Sequence, residues 1–310
     1  MRLHPPLNTY AGNPLDRAAD RRADAAWLEA KAADPASFYL AFWNKKPLVE
    51  PQSGAKDEGL QVAYLAPRVA LELAPSPEDR LFLGLWKDTP VFAVEISGDA
   101  DPSAGALAGM GQFEELRAAT PALSDADAAI LATAKAVFEW RSRHRFCAAC
   151  GEESETAEGG WKRQCPACRA EHFPRTDPVV IMLAIHEDRC LLGRQAAWPK
   201  KMYSALAGFL EPGETIEEAC ARELLEEAGL VATEVWYHSS QPWPYPSSLM
   251  IGLMALVSSD EAAPDQTELE EVRWFTKDDI RAVLAGHNPD VRAPMKLAIA
   301  RTLLEAWVAE

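Results

Sequence analysis

The sequence predicts a mixed α+β and α/β protein in three parts. These are an N-terminal α+β domain over 1–143, a small metal-binding ribbon over 144–172 and a larger α/β domain over 173–310. Three observations lead there. Apolar strand-like runs in the C-terminal part surround one strongly patterned helix, AGFLEPGETIEEACARELLEEAGL from Ala207 to Leu230. Two Cys-x-x-Cys pairs stand in the middle of the chain. Before them, short runs of aromatic and β-branched residues alternate with turn clusters and end in an Ala-rich helix.

A chain of 310 residues is long for one compact domain, and 48% apolar content supports real cores. With 47 acidic against 31 basic side chains, the net charge is −16. That balance argues against bulk electrostatic binding to nucleic acid or an anionic membrane, and a local basic patch stays open. No apolar run reaches the length of a membrane helix. The start, MRLHPPLNTY, has no signal-peptide core, and paired Cys-x-x-Cys motifs suit a reducing compartment, so a cytoplasmic protein is expected.

In order, Asp16 to Asp34 reads as helix, with Trp27 and Leu28 as anchors. Phe38 to Val49 and Gln61 to Leu65 read as strands. Leu81 to Trp86 and Val91 to Ile96 form a hairpin across Lys87-Asp88-Thr89-Pro90. Gly98 to Gly111 is a loop. Ser124, with Asp127 three residues on, opens a helix that runs to about Arg143. No motif in this region carries chemistry.

Cys147, Cys150, Cys165 and Cys168 follow, with fourteen residues between the pairs. Two such knuckles wrap one tetrahedral Zn²⁺. A redox pair is the alternative, disfavoured by Gly151 and Pro166 in the knuckles. A four-thiolate site is closed, so its role is structural, and the Glu-rich insert (Glu152, Glu153, Glu155, Glu158) argues against nucleic-acid binding. Cys190 and Cys220 sit in a strand-like and a helical run and read as buried small hydrophobes.

Val179 to His186 and Arg189 to Arg194 read as strands, Trp198 to Tyr203 as a loop carrying Lys200 and Lys201. The patterned helix comes next. Thr215 and Glu218 form a capping box, and Gly229 supplies the stop. Glu223, Glu226 and Glu227 share one face, since i, i+3 and i+4 fall within about 100° on a helix. Ala221, Leu224, Leu225 and Ala228 lie mostly opposite. Three such carboxylates repel unless a cation joins them, and oxygen ligands suit Mg²⁺ or Mn²⁺. Arg222 is placed to pair with Glu226. A solvated acidic face is the alternative.

Gly208, Glu214, Arg222-Glu223-Leu224, Glu226-Glu227 and Gly229-Leu230 match the Nudix box at every fixed position. The resemblance implies a loop–helix–loop that holds a divalent metal on a pyrophosphate, within an α/β/α sandwich around a mixed sheet. It adds the Ala207 carbonyl to the metal ligands.

Downstream lies Ser240-Gln241-Pro242-Trp243-Pro244-Tyr245-Pro246-Ser247-Ser248. Three prolines make it stiff and extended, displaying two aromatic rings. Those rings either stack on a flat base or pack into a core, and the residues leave both open. With the four-Cys ribbon upstream, this stretch resembles the SQPWPFPxS signature of the NADH pyrophosphatase subfamily, with Tyr245 in place of Phe. HFPRTDP is similar too, with Phe173 where Tyr is common. The resemblance implies substrate contacts at Phe173, Gln241 to Ser248 and Ala300, the last in an Ala298-Ile299-Ala300 segment. Arg117 is a weaker counterpart of a substrate-contacting arginine. Glu268, in a stretch similar to the family's E-I-x-E-A-R-W-F, is implied as a further metal carboxylate, with an ordinary surface glutamate as the alternative.

Leu249 to Val257 reads as a strand, Lys277 to Leu284 and Pro294 to Val308 as helices. The implied reaction is metal-dependent hydrolysis of the NAD(H) pyrophosphate to nicotinamide mononucleotide and AMP. Glu226 and Glu227 are the local candidates for the base, and a homodimer is implied. One alternative is removal of an NAD cap from RNA 5′ ends at the same site. Another is a non-catalytic zinc-ribbon protein that senses nucleotides or nucleic acid, against which the intact box carboxylates stand.

Overall fold

The computed structural model describes residues 7–52 and 59–310. They form two compact units that do not follow the chain linearly. One spans Tyr10–Thr176 and takes in Trp243–Ser247; the other comprises Asp177–Pro242 and Ser248–Glu310 with the residues up to Thr9. The ribbon thus belongs to the first unit, as does the tip of the Pro-aromatic stretch.

The first unit is built on seven strands, β1 (Phe38–Trp43), β2 (Lys46–Pro51), β3 (Leu60–Val62), β4 (Tyr64–Leu65), β5 (Arg80–Trp86), β6 (Thr89–Ile96) and β7 (Gln112–Phe113). Their order is β3-β2-β1-β6-β5, with β4 beside β1 and β7 beside β2. β1 and β6 are parallel, and the other pairs are antiparallel. β1 lacks alternation because both its faces are buried. Leu40 and Phe42 meet Leu131, Ala134 and Phe138 of a long helix, whereas Tyr39 and Ala41 pack with Phe92 and Val94 on the opposite side. Helices are α1 (Ala25–Ala32), α2 (Pro67–Leu73), α3 (Leu116–Ala119) and α4 (Asp125–Arg143). Ser124 caps α4 as expected, its hydroxyl accepting from Asp127 N at 3.1 Å. The ribbon follows as three antiparallel strands, β8 (Glu155–Ala157), β9 (Lys162–Gln164) and β10 (Glu171–His172).

The second unit contains β11 (Asp177–His186), β12 (Arg189–Arg194), β13 (Leu206–Phe209), α5 (Ile216–Ala228), β14 (Ala232–Trp243), β15 (Ser248–Val257), β16 (Glu271–Thr276), α6 (Lys277–Leu284) and α7 (Ile299–Ala309). Strand order is β14-β15-β11-β12-β16, with β13 beside β11. β11 runs parallel to β15 and antiparallel to β12 and β13. One face, through Val180, Met182 and Ala184, packs on Ala219, Cys220, Leu224 and Ala228 of α5. The other, through Ile181, Leu183 and Ile185, packs on α6 and α7 at Ile280, Val283, Leu303 and Leu304. This is the α/β/α sandwich expected from the sequence.

The two units share one topology. β1, β2, β4, β5, β6 and β7 pair as β11, β12, β13, β14, β15 and β16 do, in the same chain order. In both, the central strand has one parallel neighbour, on the same side. The difference lies in the helix after the short fourth partner. α5 carries the carboxylate face, whereas α2 is PRVALEL, with Glu72 alone.

Several boundaries differ from expectation. The Asp16–Asp34 helix is interrupted; only Ala19–Arg21 forms a short turn before α1, because Ala18 is left-handed and Asp24 starts α1 by accepting from Trp27 N. The β5–β6 turn is only Lys87 and Asp88, both at positive φ, and Thr89-Pro90 joins the strand. α7 begins at Ile299 rather than Pro294.

Candidate active site and zinc ribbon

The loop before α5 and the helix itself are fastened by one side chain. Arg222 donates from Nε and Nη2 to the two Glu214 oxygens at 2.6 and 2.9 Å. Nη2 also reaches the Phe209 carbonyl at 2.9 Å, and Nη1 reaches Glu223 Oε1 at 2.8 Å and Glu226 Oε2 at 3.0 Å. All five guanidinium donors are used, in the fork geometry that arginine alone offers. The anticipated Arg222–Glu226 pair is one arm of this clamp. Hydrogen bonds from Arg222 hold the Glu214 carboxyl down at about 2. Thr215 and Glu218 close the capping box at 3.2 and 2.8 Å, and Gly229 ends α5 at φ 68°.

Glu223 and Glu227 turn inward and Glu226 outward. Glu227 is 4% exposed and Glu223 9%, whereas the Glu226 side chain is 59% exposed. Gly208, on β13 opposite Val180, makes room for this, since a Cβ there would lie 1.9 Å from the Glu223 carboxyl. Burial, then the charges of Glu223, Glu268 and Asp265, push Glu227 up to about 8, against a hydrogen bond from the Ala207 amide. Burial also raises Glu223, against the pull of Arg222, with Glu226 and Glu268 adding to the rise. Glu227 Oε2 is buried and has no hydrogen-bond partner among the described residues.

An orphaned carboxylate oxygen among like charges is a costly arrangement that a divalent cation relieves, and an all-oxygen donor set fits a hard cation. The residues present therefore fit such an ion, with Glu223 and Glu227 inside, Glu226 at the rim and Glu268 across from them. Ala207 lies on β13 opposite Ile181, and its N–H serves Glu227 rather than the ladder, so its carbonyl also points away from β11, on the side where the Phe209 carbonyl meets Arg222. The carboxylates do not close into a tight cage. Among the described residues, the four cysteines are the group of three or more His, Cys, Asp or Glu whose ligand atoms lie within 4.8 Å of one another.

Sequence reasoning missed Asp265. Its carboxylate accepts from Thr267, Glu268 and Leu269 amides at 3.1, 3.0 and 2.9 Å, and its own N–H bonds the Glu227 carbonyl at 3.2 Å. It ties the Glu268 loop to the end of α5. An Asp three residues before Glu268 is the only sequence signal for this.

Cys147, Cys150, Cys165 and Cys168 meet as two cross-pairs, with Cys147–Cys168 Sγ atoms 3.6 Å apart and Cys150–Cys165 3.5 Å. The spacing is that of sulfurs around one tetrahedral Zn²⁺. The Cys168 amide leads in holding the Cys165 thiol down to about 7. His172, which the sequence did not flag, places Nε2 3.3 Å from Cys147 Sγ. Cys190 and Cys220 are fully buried, as expected.

The expected substrate residues scatter. Gln241 is 1% exposed; its amide donates to Leu297 O at 2.7 Å and Thr9 O at 3.1 Å and accepts from Ile299 N at 2.8 Å. It fastens the start of α7, leaving no N–H for a ligand. Ala300 is 2% exposed, in the core of the second unit. Pro242 is half-buried on β14, Ser248 half-buried on β15, and Pro244 buried. Trp243 and Tyr245 pack half-buried against the first unit's core. The Tyr245 hydroxyl bonds that of Tyr10 at 2.9 Å, and the Arg117 guanidinium sits 4.3 Å over the Tyr245 ring and 5.2 Å over Trp243. These rings pack on that core and stay partly exposed. Pro246 and Ser247 are half-buried, whereas Phe173 is 60% exposed.

Comparison with known proteins agrees with this geometry. Residues 175–297 match the NUDIX domain, 36–140 the NADH pyrophosphatase-like rudimentary NUDIX domain and 142–173 the NADH pyrophosphatase zinc ribbon domain. Among curated proteins, the chain is 37% identical to the NAD-capped RNA hydrolase NUDT12 of Macaca fascicularis, over 97% of this chain and 73% of that one. The Homo sapiens protein of the same name is 36% identical with the same coverage. The NAD-capped RNA hydrolase NudC of Mycobacterium bovis is 40% identical over 77% of this chain and 79% of its own. The carboxylate helix on a mixed sheet is that of a hydrolase, and the chain belongs to the Nudix family. Its ribbon and the rudimentary Nudix domain in its first unit are those of the NADH pyrophosphatase branch. The shared topology of the two units now has its explanation in the rudimentary domain. No helix of the described residues is long and apolar enough to cross a membrane.

Proposed function

We propose that this enzyme hydrolyses the pyrophosphate of NAD(H), releasing nicotinamide mononucleotide and AMP. The carrying observation is the buried Glu223–Glu227 pair, with the Glu223 carboxyl against Gly208 and Glu227 Oε2 left without a partner among the described residues. Glu223 and Glu227, with Glu226 and Glu268, would hold Mg²⁺ or Mn²⁺. That ion supplies charge neutralisation at the phosphates and a more acidic water. Glu226, exposed and steadied by Arg222, accepts the proton of the attacking water. Arg222 fixes the loop against the helix so that the carboxylates keep their spacing. Water adds to one phosphorus, the bridging oxygen leaves with the other, and no further reactant is needed. The same cleavage on an NAD cap leaves RNA with a 5′ monophosphate, a reading favoured by the names of the relatives. The resemblance also supports a cytoplasmic homodimer and substrate contact through the exposed Phe173.

The test incubates the full chain with Mg²⁺ or Mn²⁺ and, separately, NADH, NAD, ADP-ribose, a diadenosine compound and NAD-capped RNA. The expected result is AMP and mononucleotide from NAD(H), and a decapped 5′ end from the RNA. Turnover of none of them sinks the proposal, and turnover of ADP-ribose alone reassigns the substrate.

A further inference from the structure

The first unit contains a cavity of about 460 Å³ between α1, the β5–β6 sheet and the ribbon. That volume is in the usual range for a small-molecule site. Leu28, Phe82 and Phe92 make its apolar floor, and Arg22, Arg80 and Lys162 its basic rim. The carboxylates at the rim are already engaged: Glu29 with both terminal nitrogens of Arg80 at 3.1 and 3.3 Å, and Glu158 with Lys162 at 2.6 Å. Yet Arg22 Nε and Arg80 Nε are buried without an acceptor among the described residues, and so is the neighbouring Arg17 Nη1. Buried guanidinium donors left unpaired are expensive, and a phosphate is the group their geometry matches. The arginines are also held in place. The Arg22 guanidinium lies 4.1 Å over the Trp161 ring and that of Arg17 5.9 Å, while Trp161 is pinned by its Nε1 bond to Phe82 O at 2.6 Å. Burial lowers the pKa of both arginines, and Arg17 lowers that of Arg22 further, so an anion there would be welcome to both.

We propose that this cavity binds a phosphate monoester of mononucleotide size, with the phosphate on Arg22 and Arg80 and the organic body on the apolar floor. The test is modification of the full chain by phenylglyoxal, read peptide by peptide by mass spectrometry, with AMP or inorganic phosphate as the protecting probe. Reading Arg22 separately from Arg222 keeps this site distinct from the Nudix box and independent of turnover. AMP is expected to slow modification of Arg22 with half-effect near about 1 mM, and inorganic phosphate to need at least about tenfold more. Ala25→Trp, on the exposed side of α1 at the cavity, should remove AMP protection while leaving Arg22 reactive and NADH hydrolysis unchanged. Absence of protection by either probe overturns the site. Equal potency of phosphate and AMP overturns the organic-body assignment, and protection that persists in Ala25→Trp places the ligand outside the cavity.

Discussion

Replacing Glu227 by Gln should stabilise the metal-free protein while removing its activity. The folded-state value of Glu227 is about 8, above its ordinary 4.5, because burial and three neighbouring carboxylates disfavour its charge. Between those two values the folded protein keeps a proton that the unfolded chain gives up. The group's contribution is therefore complete below pH 4.5 and is lost as pH rises towards 8. At pH 7 the gap from 4.5 corresponds to at most about 3 kcal/mol at 1.36 kcal/mol per pH unit. Glutamine keeps the shape and escapes that loss. For a domain of this size it should raise the unfolding midpoint by at most about 6–12 °C at pH 7. The assay is thermal unfolding at pH 5 and pH 7 in buffer stripped of free divalent ions, with the zinc retained. The gain should be large at pH 7 and small at pH 5. Added Mg²⁺ or Mn²⁺ should then raise the wild-type midpoint more than that of the variant, whose kcat should fall by about two orders of magnitude or more. A Gln variant no more stable than wild type at pH 7 would refute the claim that Glu227 sits uncompensated.

Gly208→Ala drives a methyl into the Glu223 carboxyl, so kcat should fall at least about tenfold with the midpoint little changed, checked by kinetics alongside circular dichroism. Arg222→Lys keeps the charge but cannot span Glu214, Glu223, Glu226 and the Phe209 carbonyl together; activity should drop about tenfold or more without recovery at high substrate. Gln241→Leu leaves the Ile299 amide and Leu297 carbonyl unpaired, costing about 1–3 kcal/mol of stability with KM nearly unchanged, whereas a rise in KM alone would show substrate contact instead. Cys150→Ser should release the zinc, measured by metal analysis, and loosen the ribbon strands Glu155–Ala157 and Lys162–Gln164 in hydrogen exchange.

Much of the site was legible because it is local. The capping box and the stop at Gly229 lie within one helix and its two ends, where spacing fixes direction; the same spacing put Glu226 with Glu223 and Glu227 and did not show that it alone turns outward. The cysteine knuckles are legible for the same reason. The Pro-aromatic stretch was not, because whether Trp243 and Tyr245 face a ligand or a core depends on Tyr10 and Arg117, more than a hundred residues away in the chain. The partners of Gln241 were illegible for that reason too: Thr9, Leu297 and Ile299 come from both ends of the sequence. The N-terminal copy of the topology was invisible because pairing order, unlike periodicity, leaves no mark on a single strand.

By itself the sequence determined the donor chemistry: helical spacing sets Glu223, Glu226 and Glu227 within two turns of one helix, and two Cys-x-x-Cys pairs supply four thiols. Tertiary structure alone decided which carboxylates are desolvated and which residues touch. β13 and Gly208 close over Glu223, and the Asp265 loop brings Glu268 towards Glu227. The cavity beneath Arg22 gathers α1, β5 and the ribbon. Burial and charge coupling depend on distance through space, and chain separation says little about it.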